Sequence, residues 1–303
     1  MRIGYPCINR TIGCSPARTF RLASYSEERL IETVRANLTC LLAILDYNVQ
    51  HGILFFRITS DLVPFASHPV CRFPWQEHFR GMFRKIGAHI RDNTMRISMH
   101  PDQFVLLNTP KDDVLQRSID DLQYQVQVLD LLGLDTSAKI QIHVGGVYSD
   151  KKRSMERFVE NYHALDTAIL RRLVIENDER LYTVADCCAI SDRTGVPVIF
   201  DAFHHFVHNN NEKIPDLLDQ VNATWHKKDG IPMADYSSQQ PKKRPGAHAE
   251  TIDTGDFHRF LVMTGTRDMD VMLEIKDKEK SALEAIRIAG TDPRLVTGIQ
   301  NTL

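Results

Sequence analysis

Five short apolar runs in this chain each end on an acid or a histidine. Met95–Met99 leads into His100, Ile140–Ile142 into His143, and Leu173–Ile175 into Glu176. Val196–Phe200 leads into Asp201 and His204, and Val271–Leu273 into Glu274. One such residue alone reads as a solvated loop group. Five in one register do not, because strands of a single sheet bring their ends together in space. Neutral imidazole and carboxylate together make a site for Zn²⁺ or Mn²⁺. The pattern is that of a metalloenzyme.

Each candidate has a local reason. Pro101 after His100 ends the strand and holds the following loop extended. Gly145-Gly146 after His143 lets another group approach closely. Glu176 closes an apolar strand, where a buried carboxylate is costly without a cation. Asp201 and His204 are three apart, so one short turn presents both to one ion. Asp235 ends a candidate strand and His248 follows Pro245-Gly246-Ala247, so the two flank a basic loop. Glu176 lies between the histidine and acidic sides and is the expected bridging carboxylate. His68 follows the second strand, with ligand and phosphate-contact roles evenly weighed. Tyr5 and Asn9 follow the first strand, as substrate contacts or as loop structure in equal measure.

These residues need a scaffold that gathers strand ends. Candidate strands are Arg2–Tyr5, Ile53–Arg57, Met95–Met99, Lys139–His143, Leu173–Glu176, Val196–Asp201, Ile231–Asp235 and Val271–Glu274. The seventh carries Pro232 and is the weakest. Amphipathic helices are expected over Ser26–Tyr47, Trp75–Ile90, Val114–Leu132, Met155–Leu170, Thr183–Thr194 and Lys278–Ala289, with Gly133, Gly195 and Gly290 as C-caps. Eight strands alternating with helices fit an α/β fold of one type, a single (β/α)₈ TIM barrel spanning residues 1–303, better than an open sheet. In that barrel, residues at strand C-termini face the active site.

The chain has 303 residues and is 43% apolar, enough for a large core. No apolar run approaches the ~20 residues needed to span a bilayer, and the N-terminus lacks the apolar stretch of a signal peptide. A cytoplasmic protein without a membrane partner is expected. Six scattered cysteines without a CxxC pair read as free thiols in a reducing compartment. A net charge of −2 does not announce nucleic acid. Two basic triplets, Lys151-Lys152-Arg153 and Lys242-Lys243-Arg244, read first as solvated loops, but both lie close after candidate ligand strands, where a phosphate-bearing substrate would sit.

Several segments closely resemble the UV damage endonuclease family. They are Gly4-Tyr5-Pro6-Cys7-x-Asn9, Phe56-Arg57-Ile58, Leu62-Val63-Pro64-Phe65-Ala66-Ser67-His68-Pro69 and Ser98-Met99-His100-Pro101. Glu176-Asn177-Asp178-Glu179-Arg180-Leu181, Lys242-Lys243-Arg244-Pro245-Gly246-Ala247-His248 and Asp270-Val271-Met272-Leu273-Glu274-x-Lys276-x-Lys278-Glu279 complete the set. The resemblance runs from residue 2 to about residue 280, in order and with similar spacing. It implies a barrel similar to endonuclease IV, with a divalent cluster, often manganese, in its mouth; Zn²⁺ and Mg²⁺ are the alternatives. It implies a monomer acting on damaged double-stranded DNA, nucleoid-associated during repair. Incision would fall immediately 5′ to a UV photoproduct (a pyrimidine dimer or 6-4 photoproduct), leaving 3′-hydroxyl and 5′-phosphate ends.

By motif, His100, His143, Glu176, Asp201, His204, His248 and Glu274 match ligand positions, and His68 matches a site histidine. Glu176, His68 and Lys242 are the groups expected at the scissile phosphate. Tyr5, Asn9, Gln103 and Phe104 match residues that contact the lesion or fill the gap in the duplex. Lys242, Lys243 and Arg244 would follow the DNA backbone. Two departures stand out. Asp235 falls where relatives place a histidine ligand, and Met233 where some carry a modified lysine. Carboxylate suits Mn²⁺, so Asp235 is retained as a ligand. The rival readings are an abasic-site endonuclease of the endonuclease IV type, a metal-dependent sugar isomerase, and a DNA-binding barrel whose metal site is structural. The basic loop and the Gln103–Phe104 wedge argue against the isomerase.

Overall fold

In the computed structural model, which describes residues 1–296 and 298, eight parallel strands pair in sequence order into a closed barrel. They are β1 (Ile3–Pro6), β2 (Phe55–Ile58), β3 (Arg96–Met99), β4 (Lys139–His143), β5 (Leu173–Glu176), β6 (Val198–Asp201), β7 (Met233–Tyr236) and β8 (Asp270–Leu273). β8 closes on β1 through Ile3 opposite Val271. This is the (β/α)₈ barrel that the alternation predicts. β7 starts beyond Pro232, whose missing N–H cannot join a ladder. Gly4 is required where β1 meets β2, since a Cβ there would lie 1.9 Å from the carbonyl oxygen of Phe55.

Side chains alternate across a strand with period two, and that period builds the site. Phe55, Val174, Ile199, Met233 and Met272 form an apolar plug with Trp225 inside the barrel. Two residues further along the chain come Arg57, Glu176, Asp201 and Asp235 on their strands, and Glu274 just past the end of β8. The charged layer therefore sits directly above a dry floor. Register fixes its neighbours: His143 pairs with Glu176 and Asp201 with Asp235.

Helices wrap the outside with their apolar faces inward. In Glu27–Gln50, Leu30, Val34, Leu38, Leu41 and Leu45 are buried at helical spacing, and the Ser26 hydroxyl accepts from Arg29 N. Thr183 and Asp186 form a capping box for Val184–Thr194, which ends on left-handed Gly195. Periodicity missed several boundaries. The segment expected as one helix over Trp75–Ile90 breaks at Phe79, and Met155–Leu170 divides into Lys151–His163 and Thr167–Leu170. Ala202–Val207, Ile214–Ala223 and Thr254–Thr264 are helices the sequence reading omits. Gly290 lies inside a 3₁₀ turn, and the preceding helix ends at Ile288.

The reading of all six cysteines as free thiols is corrected. Cys14, in the loop after β1, forms a disulfide with Cys40 of the first long helix, while Cys7, Cys71, Cys187 and Cys188 are free. A separation of 26 residues carries no CxxC signal, and only the fold brings that loop against the helix. Among the described residues, no helix is long and apolar enough to cross a membrane.

Candidate metal centre

The C-terminal mouth of the barrel holds three overlapping groups of ligand atoms, each group within 4.8 Å. They are His100, His143 and Glu176; Glu176, Asp201 and His204; and Asp201, Asp235 and Glu274. Glu176 and Asp201 each belong to two groups, so the three form one chain of donors across β3 to β8.

Hydrogen bonds orient the imidazoles. His100 Nδ1 donates to the Pro101 carbonyl at 2.8 Å, and its Nε2 faces Glu176 at 2.8 Å. His204 Nδ1 donates to the Asn177 carbonyl at 3.0 Å, and His248 Nδ1 to the Glu274 carbonyl at 2.8 Å. In each ring a backbone carbonyl fixes the Nδ1–H tautomer and leaves the Nε2 lone pair for a cation, a usual arrangement for ligating histidine. Asp201 caps the short helix Ala202–Val207 by accepting from His204 N at 2.7 Å, which fixes the spacing between those two donors.

The buried acids act on one another's titration. Burial drives the Asp201 carboxyl well above its usual range, opposed by His204 and reinforced by Glu274, Asp235 and Glu176. Asp235, wholly buried, is raised to about 6 by burial, against the pull of Arg57. Burial also raises Glu176, but His143, His100 and His204 more than reverse it and hold its carboxyl well below the carboxylate range. Two buried atoms in the cluster, Asp235 Oδ1 and His143 Nδ1, have no hydrogen-bond partner. An orphaned carboxylate oxygen among acids and histidines is a place that a cation would fit. The donor set fits divalent ions of the Mn²⁺ or Zn²⁺ type.

Other expected residues are placed as follows. His248 lies beside the cluster, its Nε2 3.9 Å from Glu274. His68 stays on the exposed loop after β2, where its Nδ1 accepts from Val70 N and its ring meets Phe65; none of the three groups includes it. Tyr5 and Asn9, expected as lesion contacts, are internal. Tyr5 is fully buried, its hydroxyl donating to Asn48 and accepting from Asn9, and Asn9 Oδ1 caps the backbone of Thr11 and Ile12. Their polar atoms are engaged in shaping the loop after β1.

Gln103 and Phe104 stand free on the loop after β3, with Phe104 73% exposed. They line a cleft of about 740 Å³ together with His100, His248, Glu274, Lys276 and Lys278. The basic loop is exposed at Lys242, Lys243 and Arg244. Gln239 knots it, donating to the carbonyls of Lys243 and Arg244 and accepting from Gly246 N.

Sequence reasoning missed Arg57, Gln141 and Lys278 as members of the mouth. Arg57 joins Asp235 at 2.8 Å, Gln141 at 2.8 Å and Glu274. The available signal was a lone charge ending the apolar run Ile53–Phe56.

The chain matches the UV-endonuclease UvdE family over residues 1–298. It is 38% identical to the UV DNA damage endonuclease of Clostridium perfringens, covering 94% of this chain and 70% of that protein. Identity to the UV DNA damage endonuclease of Bacillus thuringiensis subsp. konkukian is 35%, covering 95% and 94%. The crystal structure of SacUVDE superposes with a TM-score of 0.92 at 45% identity, covering 96% and 98%. A D-psicose 3-epimerase shares the fold at 13% identity and a TM-score of 0.54. The barrel, its mouth and these likenesses together show that the chain belongs to the UV-endonuclease UvdE family, endonucleases of UV-damaged DNA.

Proposed function

We propose that this protein is a single-domain, monomeric, cytoplasmic DNA-repair enzyme that hydrolyses the phosphodiester 5′ to UV photoproducts in duplex DNA. The ends left would be a 3′-hydroxyl and a 5′-phosphate. One observation carries the reading: His100, His248 and Glu274 of the donor set line the same cleft as the exposed Gln103–Phe104 pair. A lesion held open by that pair would present its flanking phosphate to the donors.

His100, His143, Glu176, Asp201, His204, Asp235, His248 and Glu274 would hold divalent cations, Mn²⁺ above all. When bound, such ions supply Lewis acidity and neutralise charge developing on the phosphate. The protein's own residues do the positioning. Glu176 ties the histidine group to the acid group. Phe104, with a free aromatic face, enters the stack beside Gln103, in the manner of intercalating side chains. A photodimer stacks poorly, so its bases leave the helix at lower cost. Damage is then read through deformability rather than base sequence. Lys242, Lys243 and Arg244 track backbone phosphates, with Lys242 nearest the role of a transition-state contact.

The test is nicking of supercoiled plasmid with Mn²⁺ or chelator, using irradiated, unirradiated and abasic-site DNA. Metal-dependent nicking of the irradiated plasmid alone is expected. Preference for the abasic plasmid would favour the endonuclease IV type of activity, and binding without nicking a structural metal site.

A further inference from the structure

Glu176 and Asp201 end β5 and β6, Asp235 is the penultimate residue of β7 and Glu274 follows β8, so the four form one inward layer at the ends of four consecutive strands. Glu176, Asp201 and Asp235 are almost wholly buried. Without cations, four carboxylates so close would repel one another and spread the strand ends. Arg57 faces them from β2. One terminal nitrogen of its guanidinium donates to Glu274, and the other to Asp235 Oδ2 and Gln141 Oε1, each at 2.8 Å. Gln141 Nε2 donates to the same Asp235 oxygen at 2.5 Å. The fork thus takes one oxygen from Asp235 and one from Glu274. The remaining oxygen of Asp235 is the buried one without a partner, and that of Glu274 faces His248.

We infer that Arg57 is a positioning residue: a built-in counter-ion that keeps the acid half of the centre assembled before metal arrives. Cations then load onto a formed site, taking the carboxylate oxygens that the fork leaves free. Arg57 touches two acids at once because its two terminal nitrogens form a planar fork, which a lysine ammonium cannot imitate. A guanidinium keeps its charge in a protein, so the fork stays cationic beside these acids. This inference rests on the metal-centre reading above.

The experiment is thermal melting of chelator-stripped and Mn²⁺-loaded protein, as wild type, Arg57→Met and Arg57→Met/Asp235→Asn. Stripped Arg57→Met should melt roughly 10 °C below stripped wild type, since it leaves buried carboxylates unpaired. Mn²⁺ should restore most of that loss. Removing one acid in the double variant should restore much of it without metal. Recovery of Arg57→Met only from Mn²⁺-containing medium would also support the inference. If the single variant cannot be recovered at all, a double variant folded in chelator supports it and an unfolded one overturns it. Equal melting of stripped wild type and Arg57→Met would overturn it. So would a gap that Mn²⁺ leaves undiminished, because Arg57 would then support the fold alone. A wild type that retains no Mn²⁺ after gel filtration would instead sink the metal-centre reading itself.

Discussion

His100 Nε2 and Glu176 Oε1 lie 2.8 Å apart, joining β3 to β5 across the barrel mouth. His143 Nε2 is 3.4 Å from the same oxygen. Glu176 also belongs with Asp201 and His204, so one carboxylate serves two groups of donors. Glu176→Gln should therefore keep the fold and lose nearly all nicking. Several kcal/mol of charge stabilisation is about a thousandfold in rate. Wild-type turnover by the variant, with metal content unchanged, would remove Glu176 from the centre.

Much of this geometry is legible in the chain because two simple periods write it. Period two places Glu176, Asp201, Asp235 and Glu274 two positions beyond the apolar plug residues Val174, Ile199, Met233 and Met272. Helical periodicity locates the long helix Glu27–Gln50. What was not legible depends on distance in sequence. Arg57 is 178 residues from Asp235 and 217 from Glu274, and no local pattern links them. Tyr5 looks like an available polar group until Asn48 and Asn9, on either side in space, are seen to close over its hydroxyl. The helix Ala202–Val207 has six residues, too few to show a period, and its N-cap is the candidate ligand Asp201.

The exposed pair on the loop after β3 yields the second prediction. Gln103→Ala with Phe104→Ala should weaken binding to a dimer-containing duplex and leave metal content unaltered. Loss of a stacked aromatic should cost ~1–3 kcal/mol. Neither side chain supports the core, and Phe104 is 73% exposed, so thermal stability should hold. Equal affinity of variant and parent for the damaged oligonucleotide would show that the pair does not enter the duplex.

For the basic loop, replacement of Lys242, Lys243 and Arg244 by glutamine should lower affinity for damaged and undamaged DNA alike. The log–log salt dependence should flatten by roughly one unit per lost phosphate contact. Gln239 holds this loop through backbone carbonyls of Lys243 and Arg244, so side-chain neutralisation should leave its shape intact. A salt slope identical to the parent's would place the loop away from DNA.

The last prediction concerns Asp235, at a position where the family resemblance implies a histidine. Its Oδ2 is taken by Arg57 and Gln141, and its buried Oδ1 is free of protein partners. A hard anionic oxygen so placed should favour Mn²⁺ over softer, imidazole-preferring ions. Asp235→Asn should lower both metal occupancy and nicking, because an amide oxygen carries no charge. Asp235→His should supply an imidazole donor and recover part of both. Met233, one inward layer below in the apolar plug, offers no donor, and Met233→Leu should change occupancy little and cost under ~1.5 kcal/mol as a volume-conserving swap. Metal analysis beside nicking rates decides the matter. Full occupancy and full rate in Asp235→Asn would make Asp235 only Arg57's partner and leave the cations to the other acids.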